Sequence, residues 1–270
     1  MPPPPNSAEV SDAEVGEYVN LETGSVEARR IPLLIEGVGT FFLAIALFST
    51  SGLTSGRPFG GFDDDLAVGG IVVGGMLALL TTVSRGRFHG NPAISVSCLT
   101  SEMDMSAICL KPSPKSLLAF AKLAGAQLAG ATLAHVLFNT VLGGSAPELP
   151  TPGGTGQYHW ASHIGTSAAN ELLLVLQLVA TYFATADGAY RGLAYAVGLA
   201  AFGYRGQAIG NPAISLGIAI GSGLPLIGSG GGAGLGVIVM RTLVPLLAGL
   251  AGGALSNFVK EEGAKHQLSV

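Results

Sequence analysis

The sequence has few charged residues and few cysteines, and both shortages narrow the class of protein. Charged side chains make up 11% of the 270 residues, against roughly 25% in an average soluble domain. A water-exposed surface needs more charge than this, so the composition argues against a soluble globular protein. The two cysteines, Cys98 and Cys109, are too few for a disulfide framework. We expect both to be thiols that are buried or face the cytoplasm.

The sequence also lacks the patterns on which most enzymes and metalloproteins depend. It has no phosphate-binding loop, no nucleophile with a paired base, and no cluster of His, Cys, Asp and Glu at metal-ligand spacing. We therefore expect no catalysis, no cofactor and no metal. Nothing in the sequence indicates nucleic-acid binding.

Long apolar stretches are what the chain does have. Hydrophobic residues make up 49% of the sequence, and the mean hydropathy is +0.53. About 20 apolar residues in a helix cross the ~30 Å hydrocarbon core of a bilayer. Five windows of about that length and a shorter sixth predict an all-α membrane protein with six transmembrane helices, at 31–51, 66–84, 116–138, 167–186, 188–204 and 234–258.

The segments outside these windows predict the orientation of the chain. Residues 1–30 are rich in Pro, Glu, Asp and Ser, which predicts a disordered tail, and residues 259–270 form a second tail. If the N-terminus is cytoplasmic, the cytoplasmic side holds all of the 13 Lys and Arg residues except Arg57, Arg205 and Arg241. Basic residues near spans favour the cytoplasmic side. We expect an integral, multi-pass membrane protein with both termini in the cytoplasm.

One six-residue string, Gly-Asn-Pro-Ala-Ile-Ser, occurs at 90–95 and again at 210–215. Proline fits the first turn of a helix and disfavours helical geometry in the residue before it, so each copy predicts the start of a short helix. Glu36 opens the first span and Glu171 the fourth. The chain therefore divides into two three-span repeats, at about 31–140 and 165–258. Because three is an odd number, the second repeat must be inverted relative to the first.

The inversion predicts that the two short helices enter from opposite faces and meet at their N-termini. Helix ends inside a membrane are tolerated only where they line water or are buried in protein, so the meeting point implies a polar path. Each N-terminus carries about half a positive charge, which disfavours cations. Asn91 and Asn211 offer amide N–H donors there, which suits small neutral solutes.

Further motifs accompany the two Asn-Pro-Ala boxes. Gly-Val-Gly-Thr-Phe follows Glu36, Ala-Gln-x-x-Gly-Ala occupies 126–131, Gln-Leu-Val occupies 177–179, Ala-x-x-Asp occupies 184–187, and Pro245 lies in the last span. With these residues the chain resembles the major intrinsic protein family, the aquaporins and aquaglyceroporins, over about 31–258. The resemblance implies two pore half-helices and a homotetramer with one pore per subunit, conducting water or small uncharged solutes such as glycerol or urea. It assigns the pore to Asn91, Pro92, Ala93, Asn211, Pro212 and Ala213.

The chain departs from the family at the narrow outer filter. Where most members have an arginine after the second box, this chain has Ile214. The other filter positions correspond to Leu199, Ala208 and Gly70, the last within a residue or two. An apolar filter makes the barrier steric and hydrophobic rather than electrostatic. The pore then either admits larger or less polar solutes, or conducts water poorly.

Three charged or titratable residues have a functional and a structural interpretation. Arg241 or Arg205 could reach the outer vestibule and replace the missing arginine, or both could lie at the outer headgroup level. His89, two residues before Asn91, could be a gate that responds to pH near neutrality, or a hydrogen-bonded loop residue.

Glu36 and Glu171 are carboxyls in otherwise apolar spans. A proton relay is one interpretation. The resemblance implies another, in which each glutamate accepts hydrogen bonds from the backbone of a half-helix loop. A passive channel is the leading hypothesis. The alternatives are an ion-coupled secondary transporter, which would use these two carboxyls, and a membrane scaffold with a closed pore.

Overall fold

The computed structural model describes residues 26–54, 64–101, 113–141, 160–202, 208–222 and 231–267. In these ranges the fold consists of α-helices and the short loops that join them. Eight helices lie in these ranges, and no β-strand does. They are α1 (Val26–Thr54), α2 (Asp64–Val83), α3 (Pro92–Ser101), α4 (Pro114–Thr140), α5 (Trp160–Ala184), α6 (Gly188–Phe202), α7 (Pro212–Gly221) and α8 (Gly231–Gln267).

Four of the described helices are long and apolar enough to cross a membrane. The spanning segments are Pro32–Thr50 of α1, Pro114–Thr140 of α4, Gly165–Ala184 of α5 and Ile238–Val259 of α8. The other two predicted spans are helical but shorter. The apolar part of α2 is Gly69–Val83, and α6 has 15 residues, or about 23 Å at the rise of an α-helix. This architecture is consistent with a multi-pass membrane protein.

The ends of the helical region differ from the predicted boundaries. Helix α1 begins at Val26, inside the segment 1–30 that was expected to be disordered. Helix α8 continues past residue 258 to Gln267. The apolar window ends where Lys260 and two glutamates begin, but Lys, Glu and Ala are good helix formers. Loss of hydrophobicity therefore ends the apolar window without ending the helix.

The helices pack in matching pairs in the two halves of the chain. Helix α1 packs against α2 and α4, and α5 packs against α6 and α8. Each short helix packs against the last long helix of the other half, α3 against α8 and α7 against α4. Helices α2 and α6 form an extensive contact between the halves. Each short helix is thus held in place by a long helix of the other half.

Glycines allow α2 and α6 to approach backbone to backbone. A Cβ atom added to Gly74 would overlap the carbonyl oxygen of Gly192, and a Cβ added to Gly192 would overlap the carbonyl oxygen of Gly74. Close contact through small residues is how helices associate where lipid removes the hydrophobic driving force. Gly75, the next residue in α2, has open space in place of a Cβ.

We expect Gly74→Ala to destabilise the protein and Gly75→Ala to leave it unchanged or slightly more stable. The new methyl at position 74 meets backbone, which cannot rotate away, so α2 and α6 must separate at a cost of about 1–3 kcal/mol. Alanine at position 75 meets nothing and has the better helix propensity. Thermal unfolding in detergent measures both. Equal melting temperatures for the two variants would contradict the close crossing.

Candidate functional site

The two Gly-Asn-Pro segments start the short helices in the same way. Gly90 and Gly210 have φ of 60° and 67°, a left-handed conformation that glycine adopts without strain. The Oδ1 atom of Asn91 accepts the backbone N–H of Ala93 at 2.9 Å. The Oδ1 atom of Asn211 accepts the N–H of Ala213 at 3.1 Å. Each asparagine thus caps the helix that its proline begins.

The same two asparagines connect the segments to each other. The Nδ2 atom of Asn91 donates to the carbonyl oxygen of Gly210 at 2.6 Å, and the Nδ2 atom of Asn211 donates to the carbonyl oxygen of Gly90 at 2.7 Å. This reciprocal pair brings the N-termini of α3 and α7 together. A carboxamide has two N–H donors, and among the described residues only one per asparagine is used.

Glu36 holds the first of these segments from α1. Its carboxylate accepts the backbone N–H of His89 at 2.8 Å and that of Gly90 at 2.8 Å. Gln127 of α4 donates to the same carboxylate at 2.7 Å and to Ser95 at 3.2 Å. Glu36 is completely buried, so these hydrogen bonds replace the water that a carboxylate needs.

Glu171 holds the second segment from α5. Its carboxylate accepts the N–H of Ile209 at 2.9 Å and that of Gly210 at 2.7 Å. Tyr195 of α6 donates its hydroxyl to the carbonyl oxygen of Ile209 at 3.1 Å. The buried guanidinium of Arg241 interacts electrostatically with Glu171. The two glutamates therefore have equivalent backbone partners and different side-chain partners.

The two asparagines line a cavity of about 30 Å³. One water needs about 10–15 Å³ of such space, so the cavity has room for about two. Its wall combines polar and apolar side chains. It is lined by Leu43, Leu77, Thr81, Phe88, His89, Asn91, Ile94, Leu178, Thr181, Tyr182, Arg191, Tyr195 and Asn211.

His89 lies in the cavity wall with its ring enclosed by protein. Its Nδ1 atom is 3.0 Å from the Ser95 hydroxyl, and its ring meets Tyr182 edge to face at 5.4 Å. Burial, aided by the charge of Arg191, lowers the pKa of this loop histidine to about 4. His89 is therefore neutral near pH 7, which favours a hydrogen-bonded loop residue over a gate near neutrality.

We expect solute flux through this protein to be insensitive to pH between about 8 and about 5.5. Because the pKa of His89 is lowered to about 4, the ring stays neutral across that interval, which includes the ordinary histidine pKa of about 6.5. Flux into reconstituted vesicles at several pH values is the measurement. A change in rate with a midpoint near 6.5 that disappears in His89→Gln would contradict this assignment.

None of the four residues at the expected filter positions is among those that line this cavity. Leu199 and Ala208 belong to an apolar core cluster that includes Leu43 and Tyr195 of the cavity lining. Ile214 belongs to another, composed of Ala44, Phe48, Ala131, Ala134, Phe138, Ile214 and Ile218. Gly70 faces α6, where an added Cβ would be 2.9 Å from the carbonyl oxygen of Ala196. The filter at these four positions stays a prediction.

Arg241 and Arg205 were expected either in the outer vestibule or at the headgroup level. Arg241 is 3% exposed and does not line the cavity, and its electrostatic partner is Glu171. Arg241 is thus enclosed by protein beside Glu171, and its level relative to the headgroups stays a prediction. Arg205 lies outside the described residues.

Arg191 and Tyr182 are cavity residues that the sequence did not single out. Arg191 is 8% exposed although it begins an apolar helix, and its guanidinium lies 3.9 Å from the centre of the Tyr182 ring. An arginine inside an apolar window is a signal for a buried polar site. In the sequence its position near the start of the sixth predicted span made it one of the basic residues of the cytoplasmic side.

No model of a known protein family matches this chain, and no curated protein matches it. Within the described ranges, no three His, Cys, Asp or Glu side chains are grouped so that they could hold a metal ion. A functional assignment therefore depends on the cavity and on the two linked asparagine segments.

Proposed function

We propose that this chain is a passive membrane channel of the major intrinsic protein type, which conducts water or small uncharged solutes. The main support for the proposal is the reciprocal pair of hydrogen bonds from Asn91 to Gly210 and from Asn211 to Gly90. It joins two helix N-termini tip to tip beside a partly polar cavity that both asparagines line. A structural core would have no need to orient two helix N-termini toward a cavity.

The electrostatics of the meeting point suit neutral solutes. Each helix N-terminus contributes about half a positive charge, and positive ends of half-helices are barriers to cations and protons. The second N–H of each asparagine amide can donate to a passing oxygen. A small solute with hydrogen-bond acceptors replaces part of its water shell there, whereas a cation does not.

The channel proposal includes a topology with six spans. Helices α2 and α6 would cross the membrane together with the four longer helices, and α3 and α7 would enter from opposite faces. The matching contacts of α1, α2 and α4 with those of α5, α6 and α8 support two inverted repeats. Cytoplasmic termini and a homotetramer in the lipid bilayer belong to the same proposal.

The hydrogen bonds of the two buried glutamates argue against an ion-coupled transporter. Coupling needs a carboxyl that changes protonation during transport. Glu36 and Glu171 each accept two backbone N–H groups, and protonation would remove acceptor capacity that these donors require. We therefore keep the transporter and the closed scaffold only as outcomes of the experiment.

The experiment is stopped-flow light scattering of vesicles reconstituted with the full-length protein. We expect faster shrinkage than in empty vesicles under a sucrose gradient for water, or faster reswelling under a glycerol or urea gradient for solute. Flux that depends on a proton or sodium gradient would indicate a transporter. Vesicles with folded protein that behave like empty vesicles in all three gradients would indicate a closed pore and contradict the proposal.

A further inference from the structure

Arg191 is a fixed cation in the lining of the cavity that Asn91 and Asn211 also line. Its guanidinium donates three hydrogen bonds to carbonyl oxygens, from Nε to Thr185 at 2.8 Å, from Nη1 to Gly86 at 2.7 Å and from Nη2 to Tyr182 at 3.0 Å. The ring of Tyr182 covers one face. These contacts hold the guanidinium between the turn before α6 and the loop before α3.

The guanidinium keeps donor capacity in this position. Arginine has five N–H donors, and the three carbonyl bonds use one each on Nε, Nη1 and Nη2. The Tyr182 side chain is a further hydrogen-bond partner, which leaves one N–H group on a side chain that lines the cavity. A solute oxygen in the cavity can accept from it.

No carboxylate lines the cavity within the described part of the chain. The positive charge of Arg191 is therefore balanced there only by neutral carbonyl and aromatic groups. Arg241 is different, because it lies outside the cavity lining and interacts with Glu171. Of these two buried arginines, Arg191 is the one whose charge a solute in the cavity would meet.

We propose that Arg191 is the specificity-determining residue of this channel, which excludes cations from the cavity and donates a hydrogen bond to neutral solutes. The inference rests on the proposed function. It gives the channel an electrostatic barrier although Ile214 is apolar, since a fixed guanidinium repels cations wherever it faces a narrow, poorly hydrated path. Solutes with a carbonyl or several hydroxyl groups fit the donors best.

The test compares wild type, Arg191→Gln and Arg191→Lys in vesicles. Glycerol flux is measured by light scattering, and K⁺ permeability by a voltage-sensitive dye under a potassium gradient. For Arg191→Gln we expect K⁺ permeability to rise by roughly tenfold or more. A unit positive charge close to the path, in a site of intermediate dielectric, raises the free energy of a cation by at least the difference that corresponds to a tenfold change. Arg191→Lys keeps the charge and is expected to keep K⁺ out.

Two control variants distinguish the effect of the Arg191 charge from the effect of losing hydrogen bonds in the turn before α6. Asp187 is an exposed residue of the same turn, and its Oδ1 atom accepts the N–H of Ala189 at 2.7 Å. Asp187→Ala removes this hydrogen bond and should leave K⁺ excluded. Thr181→Asp adds a carboxylate to the cavity lining while Arg191 stays in place, and it should admit K⁺ even if Arg191→Gln does not fold.

The possible failures are distinguishable. If Arg191→Gln folds, conducts glycerol and still excludes K⁺, the inference is overturned. The same holds if Thr181→Asp folds, conducts glycerol and excludes K⁺. Wild type that passes K⁺ as freely as glycerol would overturn it too. Wild type that conducts neither water nor glycerol would instead contradict the proposed function.

Discussion

Glu36→Ala is expected to abolish the folded protein. The carboxylate of Glu36 accepts hydrogen bonds from the backbone of His89 and Gly90 and from the Gln127 side chain. Alanine leaves all three donors without this acceptor in a buried site. An unsatisfied buried donor costs about 1–3 kcal/mol, so three cost about 3–9 kcal/mol. Domain stabilities are only about 5–15 kcal/mol.

The measurement for Glu36→Ala is the yield of monodisperse protein after detergent extraction and size-exclusion chromatography. Val38→Ala is the matched control, because Val38 lies in the same helix and is 46% exposed. We expect Val38→Ala to behave as wild type. Glu36→Gln keeps one oxygen acceptor and should give an intermediate yield. Wild-type yield and melting temperature for Glu36→Ala would contradict the anchoring role.

Ile214→Arg is expected to unfold the protein rather than restore a charged filter. Ile214 is completely buried, and it packs with Phe48, Ala131 and other apolar residues in a core cluster. An unpaired charge in such a site costs several kcal/mol. Ile214→Val only removes a methylene, at about 0.5–1.5 kcal/mol, and should fold.

Size-exclusion profiles and melting curves of the two Ile214 variants are the measurement. The opposite outcome would be informative. If Ile214→Arg is folded and its preference among water, glycerol and urea differs from wild type, the side chain lines the path and the cavity extends to that level.

The sequence was sufficient for the helices because their signals are local. Each apolar window predicted a helix where one of the six longer helices lies, and each Asn-Pro predicted the start of a short helix at Pro92 and at Pro212. These predictions depend on length, hydrophobicity and proline chemistry. They do not depend on how the helices pack.

The sequence did not predict which side of each helix faces the cavity. Helix α2 is apolar on all sides, with Ile71 exposed and Val73 buried, so hydrophobic periodicity does not distinguish the cavity face from the outer face. The resemblance therefore predicted filter positions without showing which way each residue faces. In the structure Gly70 faces α6 and Ile214 packs in a core cluster. Arg191 was missed for a related reason, because one of its partners, the carbonyl of Gly86, is 105 residues away in the chain.

In the proposed channel, solute passes through the cavity that Asn91 and Asn211 line. Leu77 lines this cavity, and Leu79, two residues further along α2, is 57% exposed on the outer face. Tryptophan is large enough to occupy the space of about two waters. The pair Leu77→Trp and Leu79→Trp therefore places the same bulk inside and outside the path.

Solute flux of these two variants in reconstituted vesicles is the most direct test. We predict that Leu77→Trp lowers glycerol and water flux to that of empty vesicles, while its size-exclusion profile stays that of wild type. Leu79→Trp should conduct as wild type does. Folded Leu77→Trp with wild-type flux would contradict the account, because solute would then cross by another route.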